Sequence, residues 1–163
     1  MRGRLIIFAV SALLFISSIA FVVAGARALR TPSAGAPAAA LVAVGSVRQI
    51  MRGIVDPAAT TVFGAVSTTV TASGVEEKAP KTAEEWDVVA DSAAAIAEGG
   101  NLLLVGGRVV DGGEWTTISQ RMVEAGRKAL AAAERMDANG VFESGEAIYE
   151  TCDSCHSKYR RTQ

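Results

Sequence analysis

The sequence predicts an all-α protein, an antiparallel four-helix bundle with an N-terminal transmembrane or signal helix. Four long stretches repeat apolar residues at alternating spacings of three and four, as one face of an amphipathic helix requires. No stretch alternates apolar and polar residues at period two for long enough to indicate a sheet. The connections between most of the stretches are short, which is typical of helices packed antiparallel.

The N-terminal helix is predicted from residues 5–26, an uncharged and mostly apolar run that follows Arg2 and Arg4. A helix of this length crosses a hydrocarbon core of about 30 Å. The length favours an uncleaved anchor, whereas Ala24-Gly25-Ala26 matches the cleavage site of a signal peptide. Either interpretation carries the remaining chain across the membrane, so we expect a periplasmic domain anchored to the inner membrane by residues 5–26 if cleavage does not occur.

Three regions follow from this division of the chain. Residues 1–26 are predicted to form the signal anchor or signal peptide. Residues 27–44 contain two prolines and many small residues and are predicted to form a linker. Residues 45–163 are predicted to form the helix bundle.

The first bundle helix is predicted to begin at Ser46, because Gln49 three residues later completes a capping box. Its apolar positions are Val47, Ile50, Ile54 and Ala58. Pro57 must either kink this helix or begin a new one with Asp56 as its cap, because proline lacks the N–H of the helical ladder. The helix is expected to end near residues 71–74.

The second and third helices are predicted to begin at capping pairs, Thr82 with Glu85 and Asp111 with Glu114. Residues 137–140, with the sequence DANG, are expected to separate the third helix from the fourth. The predicted core positions are Trp86, Val89, Ala93, Ile96, Gly100 and Leu103 in the second helix; Trp115, Ile118, Met122, Ala125, Ala129, Ala132 and Met136 in the third; and Val141, Gly145, Ile148, Cys152, Cys155 and Tyr159 in the fourth.

The chemistry of the chain is concentrated at its C-terminus, where Cys152, Cys155 and His156 are the only cysteines and the only histidine. Spacings of three and four place these side chains on one face of a helix. C-x-x-C-H is the attachment signal for c-type haem: the thiols bond to the porphyrin and the imidazole binds the iron. We therefore predict one covalently attached haem c with His156 as its proximal ligand.

Other uses of this motif agree less well with the sequence. A structural zinc site needs four ligands, commonly from two separated pairs, and only one pair is present. A thioredoxin-like dithiol lies near a βαβ pattern, which we do not find. Two Cα atoms three residues apart on a regular helix are poorly placed for a disulfide. A membrane-tethered thiol oxidoreductase remains the alternative without haem.

The residues outside the C-x-x-C-H motif give little reason to predict catalysis or nucleic-acid binding. Once His156 is assigned to iron, no histidine remains for acid–base work, and the carboxylates occur at helix caps and on polar faces. The protein is therefore not predicted to be an enzyme. The formal net charge of −1 gives no basis for binding a polyanion.

Four segments of the chain resemble the class II cytochromes c, the cytochrome c′ group and its membrane-anchored relatives. They are VRQIMRGIVDPAATTVF, EEWDVVADSAAAIAEGGNLL, EWTTISQRMVEAGRKALAAA and GEAIYETCDSCHSKYR. The resemblance covers about residues 45–161, and its most specific part is the terminal motif. It implies a four-helix bundle with the haem-binding motif near the end of the chain.

The resemblance also implies a role for Met51, which looks like the distal methionine that some members supply from the first helix. Spacing alone leaves Met51 open between a core gap-filler and an iron ligand. Arg48 precedes it by three residues, at a position where relatives bring a basic residue to a haem propionate; the alternative is an exposed surface arginine. Arg160 follows His156 by four residues and is expected beside the haem edge or in solvent.

The resemblance implies two possible haem functions, because members of the family differ in whether the protein supplies a sixth ligand to the iron. Methionine-ligated members are one-electron carriers, and this is the function predicted here, with redox proteins as partners. The alternative is a five-coordinate protein that binds or senses NO or CO. Relatives often dimerise through their first helices, so a homodimer is also open.

Overall fold

The structure is a computed structural model that describes residues 41–160. The predicted signal or anchor helix at residues 5–26, and most of the predicted linker at 27–44, lie outside these residues. From residue 41 to residue 160, no helix is long and apolar enough to cross a membrane.

The described chain is mostly helical, and its helices pack together, as the sequence predicts. Its elements are α1 (Val47–Ile50), a π-helical turn (Met51–Val55), α2 (Asp56–Ala65), β1 (Ser67–Thr71), β2 (Gly74–Lys78), α3 (Ala83–Leu103), α4 (Glu114–Glu134) and α5 (Ala138–Tyr159). α3 packs against α4 and α2, α4 packs against α5, and α2 also contacts α5.

Residues 47–65 form one continuous helical segment, which contains the π-helical turn just before Pro57. Both hydrogen bonds of the predicted capping box at Ser46 and Gln49 are present. Asp56 has helical backbone angles, so the prediction that it might cap a new helix is wrong. The physical reason is that a π turn accommodates the proline by widening the helix rather than by ending it.

A β-hairpin follows the first helical segment, and the prediction that the chain has no sheet is wrong. The segment ends at Ala65 and not near residues 71–74, and β1 pairs antiparallel with β2 through a two-residue turn. Every residue of both strands is exposed. Because neither face of the hairpin is buried, it has no apolar alternation, which is the signal that a sequence search for strands depends on.

The hairpin is tied back to α2 by Lys78, whose ammonium donates a 2.5 Å hydrogen bond to the carbonyl of Gly64. Val70 and Val75 face each other across the two strands and remain 78% and 62% exposed. The β-branched run of Thr68, Thr69, Val70 and Thr71 is the local feature that favours a strand here.

The core lies where the predicted apolar stripes meet. α3 begins at Thr82, whose capping box with Glu85 is present as predicted, and all six predicted core residues of α3 are buried. In α4, the predicted positions from Trp115 to Ala132 are buried as well. Met136 is an exception at 55% exposed, because it follows the end of α4 and adopts a left-handed backbone with φ of 55°.

Both ends of α4 differ slightly from their predicted positions. The helix begins at Glu114 with Gly113 as its N-cap, so Asp111 is not the capping residue. Asp111 still accepts a 3.0 Å hydrogen bond from the amide of Trp115, which satisfies an amide of the first turn. The break before α5 lies at residues 135–137, and Asp137 caps α5 by accepting from the amide of Gly140.

Glycine lets α3 and α4 approach closely. A Cβ atom at Gly126 of α4 would lie 2.6 Å from the backbone nitrogen of Ala97 and 3.0 Å from the carbonyl oxygen of Ala93, both on α3. Gly100 of α3 makes a similar approach to the backbone of Ser119 and Val123. These contacts join the two helices backbone to backbone.

Candidate functional site

One end of the helical domain brings together four chain segments: the start of α1, the end of α3, the start of α4 and the end of α5. The indole Nε1 of Trp115 in α4 donates a 3.0 Å hydrogen bond to the carbonyl of Leu103 in α3. The guanidinium of Arg108 donates to the carbonyls of Gly45 and Leu102, at 2.8 and 3.0 Å. The candidate site residues lie within about two helical turns of these contacts along their own helices.

Cys152 and Cys155 lie in the last turns of α5, and both are free thiols. Each is half-buried, and each packs against the apolar core. Burial raises the pKa of the Cys152 thiol, and burial followed by the neighbouring Cys152 raises the pKa of Cys155. A thiol with a raised pKa is a weak nucleophile at neutral pH, which is the opposite of what a dithiol oxidoreductase uses.

His156 follows directly and is exposed on the last turn of α5. Its carbonyl accepts the amide of Arg160 at 3.1 Å, which closes that turn. Arg160 is the C-cap residue and is exposed. His156 therefore follows the two cysteines on the same helix but lies outside the packed core.

Met51 is the first residue of the π-helical turn, one turn after the start of α1. It is half-buried and packs against the same apolar core as Cys152 and Cys155. Arg48 lies one turn earlier and is exposed. π-helical turns are rare and occur frequently at functional sites. Here the turn contains Met51, the methionine predicted from the sequence as a possible iron ligand.

Met51 and His156, the two residues predicted from the sequence to bind iron, thus share one end of the domain. Met51 lies one turn inside the start of the first helical segment, and His156 lies one turn inside the end of α5. The contacts of Arg108 and Trp115 place the start of the first segment, the end of α3 and the start of α4 at this end. The contact of Tyr159 with Asp111 adds the end of α5.

Tyr159 does more than the core packing expected from its position. Its hydroxyl donates a 2.5 Å hydrogen bond to Oδ2 of Asp111, and its ring meets Trp115 edge-on with centroids 5.0 Å apart. This bond lowers the pKa of Asp111 and raises the pKa of Tyr159. Lys158 beside it forms an ion pair with Glu114 of α4. The sequence predicted Asp111 only as a helix cap. Its hydrogen bond with Tyr159, 48 residues later in the chain, was not predicted.

No cluster of three or more His, Cys, Asp or Glu side chains that could hold a metal ion occurs between residues 41 and 160. Four of the ligands of a haem iron come from the porphyrin, so the protein supplies at most two. Such a site therefore needs no cluster of this kind.

In comparisons with known proteins, no family model, curated protein or solved structure matches the chain.

Proposed function

We propose that the chain is a c-type cytochrome of the class II kind. In this proposal, residues 45–163 form an antiparallel four-helix bundle that holds one covalently attached haem c. The protein transfers one electron at a time on the periplasmic face of a bacterial membrane, to which residues 5–26 anchor it unless they are cleaved. Its partners are redox proteins, and it acts on no substrate of its own.

The observation that carries the proposal is the pair of free, half-buried thiols on one face of α5, directly before the exposed imidazole of His156. The chemistry of this donor set suits a c-type haem. Two thiols on adjacent helical turns can form two thioether bonds, and their apolar surroundings suit a porphyrin face. Burial raises the pKa of both thiols, whereas dithiol oxidoreductases use a lowered thiol pKa.

The antiparallel arrangement is supported by the ends of the helices. The end of α3 is bonded to the start of α4 through Leu103 and Trp115. The end of α5 meets the loop just before α4 through Tyr159 and Asp111, and the start of α4 through Tyr159 and Trp115. These contacts support an up-and-down bundle, in which successive long helices run in opposite directions.

Haem supplies an iron that changes its oxidation state by one electron. In the proposed site, Cys152 and Cys155 hold the porphyrin and His156 provides the imidazole ligand. Met51 would provide a thioether ligand, which would raise the reduction potential and suit electron transfer. Met51 and His156 both lie on hydrogen-bonded helical backbone, which would hold them in place as ligands.

A visible absorption spectrum of the exported, purified protein tests the function. We expect low-spin haem bands in both oxidation states and a weak thioether-to-iron band in the oxidised form. We also expect CO to bind the reduced form slowly, because it must displace Met51. A high-spin spectrum that changes at once on addition of CO or NO would contradict the carrier and favour the gas-binding alternative.

A further inference from the structure

We infer that residues 104–113, the loop between α3 and α4, form a strap that sets the separation of the two helices bearing Met51 and His156. The inference rests on the proposed haem function and deepens it by naming the positioning residues. The strap contacts the start of the first helical segment through Arg108 and the end of α5 through Asp111.

The first contact is made by the guanidinium of Arg108, which is half-buried. Its Nε donates to the carbonyl of Gly45 at 2.8 Å, and its Nη1 donates to the carbonyl of Leu102 at 3.0 Å. Gly45 precedes the N-cap Ser46, so this contact fixes where α1 begins. Because the donors of a guanidinium are held in a rigid plane, two bonds from one group restrain both position and orientation.

The second contact is made by the carboxylate of Asp111. Its Oδ1 accepts from the amides of Gly113 and Trp115 at 3.1 and 3.0 Å, and its Oδ2 accepts from the hydroxyl of Tyr159 at 2.5 Å. The carboxylate is thus fixed to the start of α4 before it binds α5. A bond of this length to an ionised acceptor belongs to the stronger class of hydrogen bonds.

An aromatic contact supports the second one. The rings of Trp115 and Tyr159 lie 5.0 Å apart at an interplanar angle of 79°, an edge-to-face arrangement that favours one relative orientation. The indole of Trp115 is itself held by the carbonyl of Leu103. The last turn of α5 is therefore packed against a fixed ring as well as bonded to a fixed carboxylate.

The strap contacts lie close to the ligand positions. Met51 is five residues after Ser46, and His156 is three residues before Tyr159. A six-coordinate iron needs its two ligands at a set separation, so a loop that holds both helix ends resists release of the thioether. Arg108 and Asp111 do not need to contact the iron; they act through the helices that they hold.

The test uses the full chain, exported and loaded with haem, as wild type and as Asp111→Asn, Tyr159→Phe and Arg108→Gln variants. Tyr159→Phe keeps the ring against Trp115 and removes only the hydroxyl. The matched control is Arg127→Gln, which removes an exposed ion pair with Glu124 within α4. The first measurement is the rate at which CO replaces the sixth ligand of the reduced protein.

The second measurement is hydrogen–deuterium exchange in the last turn of α5, which needs no haem chemistry. We expect Asp111→Asn and Tyr159→Phe to bind CO about threefold to tenfold faster, the range that loss of one hydrogen bond allows, and Arg108→Gln, which loses two, to bind it at least as fast as they do. Asp111→Asn and Tyr159→Phe should also speed exchange in residues 154–159. Because both remove the same hydrogen bond, the double variant should exchange little faster than either single variant. Arg127→Gln should match the wild type.

Wild-type CO rates in the three strap variants would overturn the inference, even if exchange in α5 increases, because the contacts would then stabilise without positioning. Unchanged exchange in Tyr159→Phe would overturn the second strap contact. Failure of the proposed function is a separate observation, since a wild-type chain that matures without haem already shows it before any variant is compared.

Discussion

The amide of Asp56 donates its hydrogen bond to the carbonyl of Met51, five residues earlier, instead of to the carbonyl four residues earlier. This bond closes the π-helical turn. Pro57 follows directly and has no N–H to donate, and its ring would crowd the carbonyl of Gly53 in a regular helix. The widened turn relieves that crowding, and it begins at the residue that we propose as the sixth iron ligand.

Replacing Met51 tests this assignment. Met51→Ala should remove the thioether-to-iron band and convert the oxidised protein from low spin to high spin, because alanine offers the iron no ligand. The reduced variant should bind CO within the mixing time of the experiment. Visible absorption spectra with and without CO measure both changes.

The matched control is Met122→Leu. Met122 is a buried core residue of α4 at 5% exposure, so leucine should cost less than about 1.5 kcal/mol of stability and leave the thioether band intact. Loss of the band in Met122→Leu with retention in Met51→Ala would reassign the ligand to α4.

The two thiols should act together in holding the porphyrin. The double variant Cys152→Ser with Cys155→Ser should release all haem into acidified organic solvent, whereas the wild type should retain it, because only thioether bonds survive that extraction. Ser154→Ala is the control, since its hydroxyl lies between the thiols in sequence and bonds the carbonyl of Glu150. Haem that stays with the double variant would exclude these residues as the attachment points.

The close approach of α3 and α4 should be sensitive to a single methyl group. Gly126→Ala places a Cβ 2.6 Å from the backbone nitrogen of Ala97, so it should lower the free energy of unfolding by about 1–3 kcal/mol. Gly64→Ala in α2 meets nothing within 4 Å and should be neutral or stabilise by up to about 1 kcal/mol. Urea unfolding followed by circular dichroism measures both, and equal effects would contradict the packing described.

Acid should weaken the contact between α4 and α5 through Asp111. The hydrogen bond from Tyr159 lowers the pKa of Asp111 below its ordinary value of 3.8. The stabilisation is therefore fully present above 3.8 and is lost as the pH falls through the lower, folded-state pKa. In urea unfolding from neutral pH into the acid range, the wild type should lose more stability than Asp111→Asn. Parallel losses would contradict this role for the carboxylate.

The helices could be predicted because their capping residues and their apolar periodicity both depend only on residues close in sequence, and the periodic apolar positions are the ones that the fold buries. The capping boxes at Ser46 and Thr82 need only residues three apart, and the stripe of α3 needs only its own periodicity. The hairpin at residues 67–78 was not predictable in this way, because its strands bury neither face. Met136 looked like a core residue because the period of α4 continues past the end of the helix.

The candidate site was only partly predictable. Cys152, Cys155 and His156 are adjacent in sequence, so their shared helical face follows from their spacing. The bonds from Arg108 to Gly45 and from Tyr159 to Asp111 join residues 63 and 48 positions apart. No periodicity links such residues, so these contacts become visible only once the helices are packed.

The most direct test of the central claim is the intact mass of the exported protein after full denaturation. Covalent attachment through Cys152 and Cys155 predicts a single species heavier than the polypeptide by one haem, whether the signal segment is retained or cleaved. A folded, helical protein from a host that matures other c-type cytochromes, but with the mass of the polypeptide alone, would contradict the account.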